Sequence, residues 1–122
     1  MAFARIFSCL RQAPPGLLCA LVADTEGETV AEWVAQGSPE TARILAAHLG
    51  ILLRYSQAPA VQLVAGTSQQ LLVHTEAAVW FVLSLTSEYY LAACWRPQGV
   101  CAHQCRLLRQ CGLALRQEIL FG

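Results

Sequence analysis

Three apolar segments, Gln69–Val73, Val79–Leu85 and Tyr89–Trp95, follow one another in the second half of the chain, divided by short polar breaks. Their length and bounding residues predict three consecutive strands. Arg96-Pro97-Gln98-Gly99 then breaks the pattern. Beyond it, Gln104, Leu107, Leu108, Cys111, Leu115 and Ile119 keep helical spacing to the C-terminus. Gly112 interrupts that helix at a cost of about 1 kcal/mol relative to Ala.

The first half supplies the rest of the fold. Phe3, Ile6, Phe7 and Leu10 predict a short helix over Ala2–Gln12, ended by Ala13-Pro14-Pro15-Gly16. Leu17–Ala23 is a continuous apolar run of strand length. Asp24-Thr25-Glu26-Gly27-Glu28 forms a turn, with Gly27 expected at positive φ, and Thr29–Ala35 returns as the second strand. Ser38-Pro39-Glu40-Thr41 is a helix start: a capping hydroxyl, proline at the first helical position and an acid in the first turn. Ile44, Leu45, His48, Leu49, Leu52 and Leu53 carry the helical period onward.

Pro59 would kink or break this helix, but Ala60, Leu63 and Val64 keep the spacing and Gly66 suits the position after a helix end. A kinked helix to about Ala65 is therefore expected. The rival is a helix ending near Gln57, with Ala60–Ala65 as a further strand. The order is α-β-β-α-β-β-β-α: one α+β domain over residues 1–122, with a helix at 2–12, a core at 16–122 and long helices over a five-stranded antiparallel sheet.

Composition changes this picture in one respect. Hydrophobic residues make up 56% of the chain and charged residues 13%, more apolar than ordinary globular usage. Part of the exterior is thus expected to be covered by a partner, most simply a second copy. The longest apolar runs, Gly16–Ala23 and Ala77–Leu83, fall far short of the roughly 20 residues of a membrane-spanning helix. Met1–Leu10 lacks the long apolar run and cleavage site of a signal peptide, so a cytoplasmic protein with no membrane partner is expected.

The eight basic residues are all Arg and balance eight acids. Without a basic cluster, no nucleic-acid partner is expected. Without Lys, mechanisms built on a phosphate-binding or Schiff-base lysine are excluded. The six cysteines sit at apolar positions of predicted elements, where they act as small hydrophobes.

Chemical constellations are few. Asp24, Glu26 and Glu28 lack the spacing of a calcium loop and form a solvated turn. In Cys101-Ala102-His103-Gln104-Cys105 the two cysteines share a helix face, but His103 points about 200° round from Cys101, so one zinc ion does not easily gather all three. His48 and His74 have no nucleophile and orienting acid nearby in sequence. No catalytic residue, metal or cofactor is expected. Trp33, Trp80 and Trp95 fall in predicted strands as packing residues.

Taken together, "GLLCALVADTEGETVAEW" (Gly16–Trp33), "SPETARILAAHLGILL" (Ser38–Leu53), "QQLLVHTEAAVWFVLSLTSEYYLAACWRPQG" (Gln69–Gly99) and "LLRQCGLALRQEI" (Leu107–Ile119) resemble the roadblock family, a profilin-like fold. They match its first hairpin, central helix, three-strand meander and closing helix. One departure is the base beside Pro97, where the family commonly has an acidic Asp-Pro-type turn.

The resemblance implies a non-enzymatic homodimer, built by pairing the central helices (Ala42–Leu53) and the edge strand (Gln70–Thr75). Ile44, Leu45, His48, Leu49, Leu52, Gln70, Leu72 and His74 would form the interface. It also implies a small Ras-like GTPase as partner, held or regulated by the dimer, with Arg43 and Arg54 as candidate contacts. A second expectation is a small-ligand sensor with Trp80, Trp95 and Cys94 lining a pocket against the sheet. A third possibility, a weak hydrolase around His74, is to be discarded if His74→Ala leaves every assay unchanged.

Overall fold

Leu17–Asp24 (β1) and Thr29–Val34 (β2) are joined by a turn whose geometry follows from Asp24 and Gly27. The Asp24 carboxylate accepts the backbone N–H groups of Glu26 at 3.0 Å and Glu28 at 2.9 Å. Gly27 takes φ 86°, a conformation that L side chains rarely adopt. The expected hairpin is present.

Pro39–Ser56 (α1) starts as its sequence predicts: the N–H of Thr41 donates to Ser38 Oγ at 3.4 Å, and Pro39 opens the helix. It ends before Pro59, whose ring cannot continue the hydrogen-bond ladder and disfavours helical geometry at Ala58. Pro59–Ala65 (α2) is a new, short helix with Pro59 as its first residue. The expected single kinked helix is therefore two helices, and the rival strand over Ala60–Ala65 does not form. Leu63 and Val64 of α2 are each 88% exposed.

The three later strands are Gln70–His74 (β3), Val79–Ser84 (β4) and Tyr89–Trp95 (β5), followed by a helix over Ala102–Phe121 (α3). Threonine hydroxyls shape both tight turns. Thr75 Oγ1 accepts from the N–H of Ala78, and Thr86 Oγ1 accepts from those of Glu88 and Tyr89.

The structure, a computed structural model, describes residues 7, 16–66, 69–97 and 102–121. Apart from Phe7, which is helical and buried, the expected helix at 2–12 lies outside the described residues, as do Cys9 and Cys101. Among the described residues no helix is long and apolar enough to cross a membrane.

All five strands form one antiparallel sheet in the order β2-β1-β5-β4-β3. Because β2 and β3 lie at opposite edges, the chain between them must cross the sheet. Four strand spacings make about 19 Å, and an 18-residue helix spans about 27 Å. One long helix thus suffices, and α1 covers one face of the sheet.

The other face is covered by α3 and Phe7. Two cores result. Ala20, Val22, Phe81, Leu91 and Trp95 pack with Leu108 and Leu115 of α3. Leu21, Val82, Tyr90, Ala92 and Cys94 pack with Ala42, Ala46, Leu49 and Leu53 of α1. Central strands β1, β4 and β5 bury both faces, which is why they read as continuous apolar runs rather than alternating ones.

Helix α1 lies close to the sheet because its inner face is small. Ala42, Ala46 and Gly50 recur at every fourth position, and all are buried. The hydroxyl of Tyr90 donates to the carbonyl of Ala46 at 3.0 Å, across the space that a side chain on Gly50 would need. On the opposite face, Phe81 and Trp95 meet edge to face with ring centroids 5.5 Å apart.

Candidate functional site

The outward face of α1 is apolar. Ile44, Leu45, Ile51, Leu52 and Tyr55 are all exposed, Tyr55 at 73%. Positions 44, 48, 51 and 55 repeat at four, three and four residues, the spacing of a helix-pairing seam, with 45 and 52 beside it. Of the residues expected at an interface, Ile44, Leu45, His48 and Leu52 stand on this face. Leu49 does not, because it turns inward and packs in the core beneath α1. Ile51 and Tyr55 were missed, although the heptad spacing from Ile44 already marks them.

His48 is held in place: its Nδ1–H donates to the carbonyl of Ile44 at 2.8 Å. This leaves Nε2 as the ring atom able to meet a partner.

Strand β3 has one paired edge, against β4, and one open edge. Its register divides the expected residues from α1. Gln70, Leu72 and His74 stand opposite Leu83, Phe81 and Val79, and so share the face covered by α3. Leu71 and Val73 point the other way and pack against the core beneath α1. The open backbone edge therefore joins two side-chain surfaces, one on each face. Leu72 is 54% exposed despite being apolar.

The two arginines expected to meet a partner have internal ligands. Arg43 donates from Nε to Glu32 Oε2 at 2.7 Å, and a second N–H meets Glu32 Oε1. This fork ties α1 to β2 and holds the Glu32 carboxyl below the usual carboxylate range. Arg54 donates to the carbonyl of Thr25 at 2.8 Å, at the tip of the β1–β2 turn. Both guanidinium groups remain at the surface beside the apolar stripe. A concavity of about 410 Å³ lined by Ile51, Arg54, Tyr55 and Ala58 marks the end of that stripe.

Little else offers chemistry. Among the described residues no group of three His, Cys, Asp or Glu side chains could hold a metal ion. The expected ligand pocket is not formed by its residues: Trp95 belongs to the core under α3, whereas Trp80 and Cys94 belong to the core under α1. Neighbours in a strand alternate faces, so Cys94 and Trp95 cannot line one cavity.

Cys19 and Cys94 face each other across β1 and β5 and are both buried. The hydrogen bond with Cys94, together with burial, pushes the Cys19 thiol well up, so it stays protonated near neutrality. Thiolate is the reactive form. The same hydrogen bond pulls the Cys94 thiol down, so burial rather than protonation shields it. Iodoacetamide is expected to modify half-buried Cys105 at least about tenfold faster than Cys19 or Cys94 in the native protein, and all three alike in denaturant. Peptide mass mapping against time checks this.

No family model matches the sequence, and no curated protein matches it. Solved structures do match. The gliding protein MglB from Thermus thermophilus superposes with a TM-score of 0.80 at 19% identity, covering 94% of this chain and 86% of that one. An MglB has also been solved in a tetrameric arrangement. A Roadblock/LC7 domain from Streptomyces avermitilis gives 0.78 at 15% identity, covering 93% of each chain. MglC from Myxococcus xanthus gives 0.69 at 23% identity, covering 97% of this chain and 99% of that one. The hairpin, crossing helix, meander and closing helix of this protein make up the Roadblock/LC7 fold.

Proposed function

We propose that the protein is a non-enzymatic, homodimeric adaptor or regulator of a small Ras-like GTPase. The observation that carries this reading is the exposed apolar seam of α1: Ile44, Leu45, Ile51, Leu52 and Tyr55. A patch of that kind on a surface helix calls for a covering partner. A second copy fits best, because a seam at heptad spacing is self-complementary about a two-fold axis. The open edge of β3 would be covered by the same pairing. The tetrameric arrangement of an MglB supports self-association in this fold.

The GTPase half of the reading rests on the resemblance to the roadblock family and on similarity to MglB and MglC. Regulation without catalysis is the reading that the resemblance implies, and among the described residues no three His, Cys, Asp or Glu side chains gather as a metal site would need. A GTPase would be affected by ordering its own residues. Arg43 and Arg54 are the proposed contacts, flanking the seam.

The test is a tagged pull-down from native lysate with GDP and with a non-hydrolysable GTP analogue, read by mass spectrometry. A Ras-like GTPase enriched in one nucleotide state is expected; none in either state would overturn the assignment. Arg43→Gln is expected to weaken that capture about tenfold, whereas Glu32→Gln, which frees Arg43 without removing it, leaves capture in place. Equal losses in both variants would mean that Arg43 acts only by docking α1 on β2.

A further inference from the structure

Away from α1, the opposite face of the sheet carries a groove to which the expected dimer interface contributes only Gln70. It has a volume of about 670 Å³ and runs between the start of β3 and α3. Its floor and sheet side are Gln70, Leu83 and Leu85; its helix side is Arg109, Leu113 and Arg116. Among the described residues no carboxylate lines it.

Gly112 explains how two arginines come to stand over an apolar floor. A Cβ at this position would run into Leu83 Cδ2, so α3 lies directly on β4 here. Arg109 and Arg116, three residues before and four after, occupy the same flank of the helix. Leu113 beside them is 63% exposed.

These arginines differ from those of α1 in having almost nothing to hold. Arg109 Nε reaches only Gln70 Oε1, at 3.5 Å, the outer limit of a hydrogen bond. Arg116 has no hydrogen-bond or ion-pair partner among the described residues. The nearest acid along α3, Glu118, is two positions on and stands about 200° round the helix from Arg116. In a chain of zero net charge, this is a local excess of positive charge beside exposed apolar surface.

We propose that this groove is a second docking site, for an extended acidic segment of a partner protein that alternates carboxylates with an apolar residue. Charge complementarity selects the carboxylates, and the spacing selects a chain over a small anion. Seven helical residues separate the two α-carbons by about 10.5 Å. Two carboxylates on one face of an extended chain with one same-face residue between them stand about 13.6 Å apart, a difference of about 3 Å that the long arginine side chains span. The apolar residue between them would rest on Leu83 and Leu113.

Fluorescence anisotropy with a fluorescein-labelled Gly-Glu-Ser-Leu-Ser-Glu-Gly peptide tests the proposal on the full chain. Saturable binding is expected, weakening as salt rises from about 50 to about 300 mM. The Arg109→Glu/Arg116→Glu variant should lose about tenfold or more in affinity. Arg106→Glu, on the same helix but outside the groove, should lose none. Arg109→Gln/Arg116→Gln serves if the charge reversal disturbs folding, as judged by thermal unfolding.

No saturable binding below about 1 mM overturns the site. Equal binding of a peptide with Lys in place of both Glu residues, or an equal loss in Arg106→Glu, does the same. Competition by free glutarate at the peptide's own concentration would assign the groove to small anions instead. A changed oligomeric mass in the double variant would assign it to self-association. The nucleotide-dependent pull-down reads a different surface, so either result can fail without the other.

Discussion

Replacing Leu45 and Leu52 together by Glu is expected to convert the proposed dimer into a folded single protomer. Both side chains are exposed on the outer face of α1 and take no part in the core beneath it. The substitutions should therefore leave the protomer's helical and strand signals in circular dichroism intact. In the dimer, each Glu would carry its charge into a desolvated apolar seam and meet its own symmetry copy. Losses at central interface positions run to about 2 kcal/mol or more each, roughly thirtyfold in the dissociation constant. Light scattering coupled to size exclusion, at fixed protomer concentration, reads the change. A dimer that survives both substitutions would remove α1 as the pairing surface and leave the β3 edge as the remaining candidate. Capture of a GTPase should fall with the dimer if the binding surface spans both protomers.

Gly50→Ala is expected to destabilise the fold, although in an isolated helix the same change would help by about 1 kcal/mol. The added Cβ would collide with the ring and hydroxyl of Tyr90, a buried side chain pinned by its bond to the Ala46 carbonyl. Tyr90 cannot swing aside without leaving its hydroxyl unpaired, and α1 cannot lift without opening the core of Ala42, Ala46, Leu49 and Leu53. Overpacking costs about 1–3 kcal/mol, and a Cβ meeting three atoms of one pinned side chain falls at the upper end; subtracting the helix gain of about 1 kcal/mol leaves a net loss of about 2 kcal/mol, or about 8 °C in Tm. Gly112→Ala provides the contrast. There the clash is with the tip of half-buried Leu83, which can turn to another rotamer. Its change in stability should stay within about 1 kcal/mol of zero. Equal destabilisation in the two variants would mean that the Tyr90 contact is not what restricts Gly50.

The contrast between the two glycines also shows where sequence reading reaches its limit. Gly112 was visible as an interruption in a helical pattern, but neither its contact with Leu83 nor the arginine groove above it was. The same holds for α1. Its apolar period from Ile44 to Leu53 was legible, yet the period merged two faces, because Leu49 and Leu53 are buried beneath the helix while Ile44, Leu45 and Leu52 are not. The inward face is marked chiefly by small residues, Ala42, Ala46 and Gly50, which carry little hydrophobic signal. On β3, alternation was legible but its phase was not: pairing with β4 sends Leu72 to the side of α3. Arg43 and Arg54 read as surface charges, and they are, but their ligands Glu32 and Thr25 are 11 and 29 residues away.

Local physics is thus written along the chain. The Asp24–Gly27 turn, the Ser38-Pro39 helix start, the break at Pro59 and the five strands each depend on residues within a few positions of one another. Their order was enough to expect long helices over one antiparallel sheet. Which strands neighbour which, and which side of each helix faces inward, depend on contacts between distant segments. The placing of β1 beside β5 puts β2 and β3 at opposite edges and sends α1 across the sheet between them. The same contacts divide Trp95 from Cys94, leave the α1 seam facing outward and bring Arg109 and Arg116 over β4. Side-chain partners at long range are chosen by packing the whole chain at once, and no local pattern encodes that choice.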